Sequence, residues 1–216
     1  MIQATKRAQT SQEVLDLIRA DTERDEGRVP HLYLCTGGYV TVGVGHQVAS
    51  LDETLALPLV PREAIAADYE AVRKAPKGYV ASWYGRITRA RMSDADIDAL
   101  LAADIQRFLV SLRPHLPIFD EMPPPAQRAV FNMAFNLGLE GFAKYRRLRA
   151  ALEARDWERA AAECHRRGIS AERNARTAEL FRSAAHEVLV IAEAGGQQLP
   201  GQSENLSTEP GLKENA

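Results

Sequence analysis

The stretch DEGRVPHLYLCTGGYVTVGVGH, residues 25–46, decides how the rest of this sequence is expected to fold. It contains an acid, Glu26, at the end of an amphipathic segment and directly before Gly27 and Pro30, residue types that end helices. Glu26 is therefore predicted at a helix C-terminus, where the partial negative charge of the carbonyl groups disfavours a second negative charge. A carboxyl group that is kept protonated near neutral pH is able to act as a general acid.

The helix before Glu26 is predicted from a start signal and an apolar stripe. Thr10, with Glu13 three residues later, has the form of a capping box. The stripe leads towards Glu26 on the same side of the helix and consists of Val14, Leu15 and Ile18. The acid is thus expected to lie against apolar packing, which also favours its neutral form.

Two short strands are predicted after Pro30, over Leu32–Cys35 and Tyr39–Val44, because both segments are rich in β-branched, aromatic and aliphatic residues. The residues Thr36-Gly37-Gly38 between them supply the positive φ that a tight hairpin needs. If all three residues form the loop, one face of the hairpin is largely polar and consists of Tyr33, Cys35, Tyr39 and Thr41. The opposite face is then aliphatic and consists of Leu32, Leu34, Val40, Val42 and Val44.

The length of the hairpin loop decides whether this polar face exists. A two-residue loop, Gly37-Gly38, places Cys35 and Thr41 on opposite faces, since a change of one residue in register reverses every side chain. Beyond the second strand, His46 follows Gly45, and its imidazole is expected to hydrogen-bond the region of Glu26 and hold it in place.

The spacing of these residues resembles the phage-type (T4-like) lysozymes, the muramidase family that includes many endolysins. The family pattern is a Glu, eight residues, an Asp or Cys, five residues, a Thr and a Gly-x-Gly-His ending. Here it is formed by Glu26, Cys35, Thr41 and the run Gly43-Val44-Gly45-His46. Further resemblance lies in Phe131–Gly138, similar to the central helix of that fold, in Trp157–Ala161, and in Arg173 or Arg176 before Leu180-Phe181. The resemblance covers Ser11 to about Val190.

The resemblance implies hydrolysis of the β-1,4 bond between N-acetylmuramic acid and N-acetylglucosamine in peptidoglycan. Glu26 would be the general acid, and Cys35 and Thr41 would position the attacking water on the far side of the sugar ring, as an inverting glycosidase requires. His46 would support the acid. These assignments give three catalytic residues and one supporting residue.

Cys35 is the feature that most affects this mechanism. A carboxylate is fully charged at neutral pH, whereas a thiol with an ordinary pKa of about 8.5 is mostly neutral and is a handicapped base. Activity is therefore expected to rise with pH as the thiol ionises. An alternative reading is a catalytically silent, lysozyme-like protein that binds the cell wall or a partner protein. Another is an enzyme of the same fold that cuts a different glycan, such as chitin.

Four residues are predicted to bind substrate by the same resemblance. Asn136 is the candidate for contacting the N-acetyl groups of the sugars, and Asn132 for a buried hydrogen-bonded partner beside them. Tyr33, on the polar face of the hairpin, and Arg176 complete the set. The spacing to Phe181 does not choose between Arg176 and Arg173.

The region from Gln47 to Arg91 is longer than the small lobe of the family usually requires, and we interpret it as an insertion that forms part of the upper wall of the cleft. A helix is predicted over Arg62–Lys74, after Pro61. Three aromatic residues follow, Tyr79, Trp83 and Tyr84. They fit either a sugar-stacking surface or the core of the lobe, and the core interpretation is the more frequent role of such residues.

Five further helices are predicted from apolar spacing and helix start signals. They cover Ser93 to Pro114, Pro123 to Gly138 or Gly141, Ala143–Ala154, Asp156–Arg166 and Ala175–Ala194. The second of these is apolar nearly all round, which indicates a buried central helix.

The predicted fold class is α+β and predominantly α-helical, with a two-lobed lysozyme-like fold over residues 1–194. The small lobe, residues 10–91, contains the antiparallel hairpin and the insertion, residues 92–113 form a connecting helix, and residues 114–194 form a C-terminal helical bundle. Residues 1–9 are expected to fray. The tail, residues 195–216, is rich in Gly, Gln, Ser, Pro and Glu and is expected to be disordered.

Composition excludes several classes of partner. The formal net charge of −2 argues against binding to nucleic acid, and no apolar run is long enough for stable membrane insertion. No signal peptide is recognised, so synthesis in the cytoplasm is expected, with action on peptidoglycan in the periplasm or cell wall after export by a holin or a secretion machinery. The protein is expected to be a monomer without a cofactor. No metal is implied, since Cys164-His165 is only an adjacent pair, and no disulfide framework is needed with two cysteines.

A basic run near residue 145 leaves one alternative open. Lys144, Arg146, Arg147 and Arg149 would attract the peptide carboxylates of a wall polymer, or they form a solvated helix face, which is the more common situation.

Overall fold

The computed structural model describes residues 10–196, with side chains described through residue 190. The predicted frayed end and residues 197–216 of the predicted tail lie outside this range. Helices account for 65% of the structure and a small antiparallel sheet accompanies them, so the predicted class, α+β and predominantly helical, is confirmed. In the described residues, no helix combines the length and the apolarity needed to cross a membrane.

The three strands of the sheet lie in the first half of the described chain, and the second half consists of helices. The first part contains α1 (Gln12–Glu26), β1 (Val29–Leu34), β2 (Val40–Gly43), β3 (His46–Gln47), α2 (Leu51–Ala56), α3 (Ile65–Lys74) and α4 (Ala81–Tyr84). The second part contains α5 (Asp94–His115), α6 (Pro124–Ala143), α7 (Arg146–Glu153), α8 (Trp157–Glu163) and α9 (Ala171–Gly196). Short 3-10 turns cover Arg62–Ala64 and Phe119–Glu121.

Helix α1 ends as predicted but begins differently. Glu26 is its last residue, and Gly27 ends it with a φ of 76° while its N–H donates to the carbonyl of Glu23. The N-cap is Ser11, whose side chain accepts from the N–H of Val14, and not the predicted Thr10. Thr10 instead donates its hydroxyl to Asp120 Oδ1 at 2.8 Å, a contact between residues far apart in the sequence that no local pattern predicts.

The hairpin has the three-residue loop. The N–H of Cys35 donates to the carbonyl of Tyr39 at 3.0 Å, and the N–H of Gly38 donates back to the carbonyl of Cys35 at 2.8 Å. Tyr33 consequently pairs with Thr41, and the two-residue alternative is wrong. The short strand β3 was not predicted, and it pairs with β2 on the side away from β1.

The N-terminal helix packs with the C-terminal helices. Helix α1 lies against α6, where Arg128 donates from Nε to Asp21 Oδ2 at 2.8 Å. Val14 and Ile18 of α1 are buried, and this helix, which was predicted within the small lobe, residues 10–91, is in contact with α6 and α5. The predicted connecting helix is α5.

The central helix α6 is interrupted near its end. Its residues from Ala129 to Ala134 are buried, as predicted for a central helix. Gly138 has φ 68° and ψ 163°, values outside the helical region, so the helix breaks there before a short final segment. The break follows Asn136 and turns the chain at the edge of the buried part of the helix.

The last three helices have different bounds from those predicted. Helices α7 and α8 are shorter than the predicted Ala143–Ala154 and Asp156–Arg166. Helix α9 begins at Ala171, before the predicted Ala175, because Ser170 accepts a hydrogen bond from the N–H of Arg173 at 3.2 Å. It extends through Gly196, so Gly195 and Gly196 are helical and not part of a disordered tail.

The region predicted as an insertion, residues 47–91, contains a helix and three aromatic residues that differ in burial. The predicted helix over Arg62–Lys74 is present as a 3-10 turn followed by α3. Tyr84 is 0% exposed and belongs to the core, whereas Tyr79 is 48% exposed and stacks on the half-buried Trp83. The core interpretation therefore holds for Tyr84 and does not hold for Tyr79.

Candidate active site

The acid Glu26 lies where α1 ends against the glycine-spaced end of the hairpin. Gly45 has a φ of 72°, and a Cβ at this position would lie 3.6 Å from Glu26 Cβ. The side chain of Glu26 is 26% exposed, so it is partly covered and still accessible. The Gly-x-Gly-His ending thus brings backbone without a side chain next to the carboxyl group.

Arg173 of α9 contacts the acid directly. Its Nη2 donates to Glu26 Oε1 at 2.9 Å, and its own side chain is only 12% exposed. The helix C-terminus disfavours a negative charge on Glu26, whereas this guanidinium favours one, so the carboxyl group is subject to two opposite influences. The sequence predicted the first influence and missed the second.

The neighbouring residue, Asp25, is the buried centre of an ionic network. Its side chain is 2% exposed and accepts hydrogen bonds from Asn132 Nδ2 at 2.6 Å and from Arg176 Nη2 at 2.7 Å. It also forms an ion pair with Arg173, whose Nε lies 3.1 Å from Asp25 Oδ2. Burial alone would raise the pKa of Asp25, but the hydrogen bond from Asn132 and the charges of Arg173, Arg176 and Arg24 lower it. Asp25 is therefore ionised at neutral pH and ties α1 to α6 and α9.

The structure distinguishes the two arginines that the sequence left open. Arg173 contacts Glu26, whereas Arg176 donates to Asp25 and, through Nη1, to Glu172 at 2.6 Å. Arg176 was predicted to bind substrate, but its guanidinium is committed to two carboxylates. Arg173 is the arginine at the acid.

A fully buried arginine supports the two asparagines of α6. Arg166 is 0% exposed, and its Nη1 lies 3.4 Å from both the carbonyl oxygen of Asn132 and Oδ1 of Asn136. Its Nη2 donates to Thr177 at 2.9 Å, and burial lowers the pKa of Arg166. Asn132 is buried and hydrogen-bonded to Asp25, and Asn136 is half-buried with its amide oxygen turned to Arg166.

On the hairpin, Tyr33 lies close to both the thiol and the acid. Burial raises the pKa of Tyr33 to about 12, and the nearby Cys35 and Glu26 add to the shift in the same direction. Cys35 is half-buried and not in a disulfide. Tyr33 is 9% exposed, which leaves little of its ring for the predicted contact with a substrate.

Thr41 is more buried than its predicted role requires. It is 1% exposed, and its hydroxyl donates to the carbonyl of Tyr39 at 2.9 Å. The family resemblance implies that this hydroxyl positions the attacking water, which requires a free donor or acceptor. Because its proton is already used, only its acceptor capacity remains.

His46 is held by a carboxylate of α5. Its Nδ1 lies 2.9 Å from Asp104 Oδ2, so Asp104, and not the predicted Glu26 region, is the hydrogen-bond partner. A cavity of about 410 Å³ opens beside this pair and is lined by residues that include Gly45, Gln47, Phe108 and Phe135. His46 thus links the sheet to α5 at the rim of a cavity.

The groups around Glu26 are suited to proton transfer. In the part of the chain that the structure describes, no group of three or more His, Cys, Asp or Glu residues is placed to hold a metal ion. The site contains the part-exposed carboxyl group of Glu26, which the guanidinium of Arg173 holds, and a thiol and a hydroxyl on the neighbouring hairpin. These are the components of general acid catalysis.

The sequence contained a local signal for some of the site residues that were not predicted, and none for the others. Ser170 as a helix start would have placed Arg173, Arg176 and Thr177 on one face of α9. Asp25 and Asp104 have no comparable local signal, because each acts through partners that are distant in the sequence.

Comparison with known proteins gives two findings. Residues 23–187 match the family described as phage lysozyme. The chain is also 30% identical over 137 residues to the pre-baseplate central spike protein Gp5 of Enterobacteria phage T4. That alignment covers 63% of this chain and 22% of the relative, so this chain corresponds to about a fifth of the length of that protein.

Proposed function

Because this chain belongs to the phage lysozyme family, we propose that it hydrolyses the β-1,4 bond between N-acetylmuramic acid and N-acetylglucosamine in peptidoglycan. The observation that carries the proposal is the position of Glu26: a part-exposed carboxyl group at the end of α1, held by Arg173 and facing the backbone of Gly45. The substrate lies outside the cytoplasmic membrane, and a holin or a secretion machinery would give the protein access to it.

Glu26 is proposed to protonate the oxygen of the leaving sugar. Arg173 donates to Oε1, which disfavours a proton on that atom, so the transferable proton belongs on Oε2. As the bond between the anomeric carbon and the leaving oxygen breaks, this proton moves to the oxygen. Glu26 is left as a carboxylate, which Arg173 stabilises until solvent returns a proton.

A water molecule is proposed to form the new bond to the anomeric carbon from the opposite face of the sugar, with inversion. The oxygen of Thr41 accepts one hydrogen bond from this water, and the sulfur of Cys35 accepts the other. The proton that the water loses passes to the thiolate form of Cys35 or to solvent. The hairpin register supports this assignment because it puts Cys35 and Thr41 on one face.

Alkylation of Cys35 is expected to reduce activity on peptidoglycan by at least about tenfold, because a bulky group on the sulfur displaces the attacking water. The reaction is best performed in a Cys164→Ala background, which leaves Cys35 as the one cysteine able to react. The measurement is the rate of reducing-end release from sacculi before and after alkylation. Full activity after complete alkylation would show that the thiol only fills space.

The proposed reaction is tested by incubating the protein with purified sacculi and analysing the soluble products by mass spectrometry. Muropeptides with a reducing N-acetylmuramic acid end are expected. Reducing N-acetylglucosamine ends would indicate a different bond, and anhydro products would indicate a reaction without water. Absence of any product from sacculi that bind the protein would contradict the proposal.

A second candidate is a lysozyme-like protein that binds the wall or a partner protein without cutting. The burial of Thr41 and the presence of a thiol at position 35 favour it, since both weaken the activation of water. The same incubation separates the candidates: binding with release of muropeptides indicates the enzyme, and binding without release indicates the silent form.

A further inference from the structure

The segment that follows α3 has a charge unlike the rest of the chain. Residues 71–93 contain six basic residues and no acidic residue, although the net charge of the whole chain is −2. The basic residues are Arg73, Lys74, Lys77, Arg86, Arg89 and Arg91. Arg73 and Lys74 pair with Glu70, and Arg91 donates to backbone carbonyls, among them that of Gly85 at 2.8 Å.

Three of these basic residues remain available at the surface. Lys77, Arg86 and Arg89 are exposed, and within residues 10–190 no carboxylate forms an ion pair with any of them. Unpaired cations on an exposed segment attract anions from solution. Their positive potentials add up, because the segment contains no carboxylate to neutralise them.

The same segment exposes aromatic and aliphatic surface. The rings of Tyr79 and Trp83 are stacked with centroids 4.3 Å apart and planes 13° apart, and Tyr79 is 48% exposed. Val80 is 72% exposed and Ile87 is 37% exposed. We call Tyr79 and Trp83, together with Lys77, Arg86 and Arg89, the platform. An exposed apolar patch that is bordered by charges commonly marks a binding surface.

The platform is held in place by buried hydrogen bonds. The hydroxyl of the buried Tyr84 donates to the carbonyl of Pro76 at 2.8 Å. His31, 8% exposed, has Nε2 2.9 Å from the carbonyl oxygen of Ala81, which only accepts, so Nε2 carries the proton. Burial lowers the pKa of His31, which keeps it neutral and suited to this contact. A preformed surface loses little conformational entropy on binding.

The platform also touches the hairpin of the candidate active site. A Cβ at Gly38, in the hairpin turn, would lie 2.4 Å from Lys77 Nζ, so the lysine side chain lies directly over the turn that follows Cys35. A polymer that occupies the site is therefore within reach of the platform if it continues past the hairpin turn.

We propose that the platform is an additional binding surface for a carboxylate-bearing glycan strand, an inference that rests on the proposed function. A pyranose ring presents a face of C–H groups that packs on the open face of Tyr79. The carboxylates of the peptides attached to the strand pair with Lys77, Arg86 and Arg89. The platform thus binds sugars beyond the bond that is cut and favours the long, peptide-substituted polymer over short fragments.

The test measures binding to sacculi by sedimentation in a Glu26→Gln background, so that the substrate is not consumed. Tyr79→Ala is expected to weaken binding about tenfold and Tyr79→Phe to leave it unchanged, because only the ring is needed. Val110→Ala is the matched control, since Val110 is 66% exposed on α5, and it should have no effect.

A second pair of variants tests the charges. Arg86→Glu/Arg89→Glu is expected to weaken binding about tenfold at low salt and less at high salt. Arg159→Glu/Arg167→Glu makes the same change of charge at two other exposed arginines and should have less than about a twofold effect. Removing the stem peptides from the sacculi should abolish the effect of the Arg86 and Arg89 changes and retain that of Tyr79→Ala.

Several outcomes would contradict the proposal that the platform binds a glycan strand. Equal losses in the test and control pairs would indicate a general charge effect, and binding to phosphatidylglycerol vesicles that depends on Tyr79 would indicate a lipid surface. If all variants bind sacculi as well as the parent protein and the wild type still releases muropeptides, the platform is not a binding surface, and the proposed function is unaffected. If the wild type neither binds nor cuts sacculi, both proposals are wrong.

Discussion

Glu26→Gln is expected to lower the rate of muropeptide release from sacculi by about a thousandfold, the scale on which a general acid contributes to a reaction. The amide has no proton acidic enough to transfer to the leaving oxygen. It has nearly the same shape as the carboxyl group, and its oxygen is still able to accept the hydrogen bond from Arg173. The measurement is the initial rate of reducing-end formation with purified wild-type and variant proteins.

The fold of this variant should be intact, because Glu26 is part-exposed and its replacement preserves the hydrogen bond. Circular dichroism and the midpoint of urea unfolding provide the control. Glu23→Gln is the matched variant, since Glu23 lies one turn earlier on α1, and it should keep full activity. Residual activity of Glu26→Gln within about tenfold of the wild type would mean that another group supplies the proton.

Asp25→Asn is expected to reduce the free energy of unfolding by about 3 kcal/mol, at the lower end of the range for removing one partner of a buried ion pair. The side chain of Asp25 is 2% exposed, and its loss leaves the guanidinium groups of Arg173 and Arg176 without their shared carboxylate. The loss of stability is at the lower end because, in the variant, Arg173 still pairs with Glu26 and Arg176 still pairs with Glu172. Urea unfolding of the two proteins at pH 7 measures the difference.

The pH dependence of stability gives an independent check on Asp25. Its pKa in the folded protein is lower than the usual value of 3.8, so the unfolded chain binds the proton more readily. The stabilisation is therefore fully present above the unfolded value and is lost as pH falls through the folded value. Below about pH 4 the stability of the wild type should decrease more steeply than that of Asp25→Asn.

Asp21→Asn is the matched control for the role of Asp25 in the site. Asp21 is also buried on α1 and also pairs with an arginine of α6, but its partner Arg128 does not contact Glu26. Both variants should lose stability, and Asp25→Asn should lose more activity, because Arg173 also holds the acid. Equal activity of the two folded variants would show that Asp25 only stabilises the fold.

The local part of this architecture was readable from the sequence. Gly27 and Pro30 fixed the end of α1 and hence the position of Glu26, since both act on the backbone next to them. The composition of the strands and the Thr36-Gly37-Gly38 turn predicted the hairpin and left two loop lengths open, and the structure has the longer one, in which Tyr33 pairs with Thr41. These features depend on interactions within a few residues, which a single sequence records directly.

The contacts that complete the site could not be predicted from local sequence patterns. Arg173 and Asp25 meet across more than a hundred residues, and neither has a neighbour in the sequence that specifies the other. His46 was assigned to the region of the acid because Glu26 and His46 lie at the two ends of the same hairpin, but Asp104 of α5 is its partner. Burial of Thr41 also depends on the third strand, β3, whose two residues are too short to give a pattern.

The connection between α1 and α9 has a consequence for synthesis of the protein. Asp25 and Glu26 leave the ribosome before the two arginines that hold them, which are at positions 173 and 176 and are translated about 150 residues later. A nascent chain that ends before α9 contains the acid and the hairpin without the cations that orient them. Under the proposed function, the lytic site is thus incomplete until α9 has been translated.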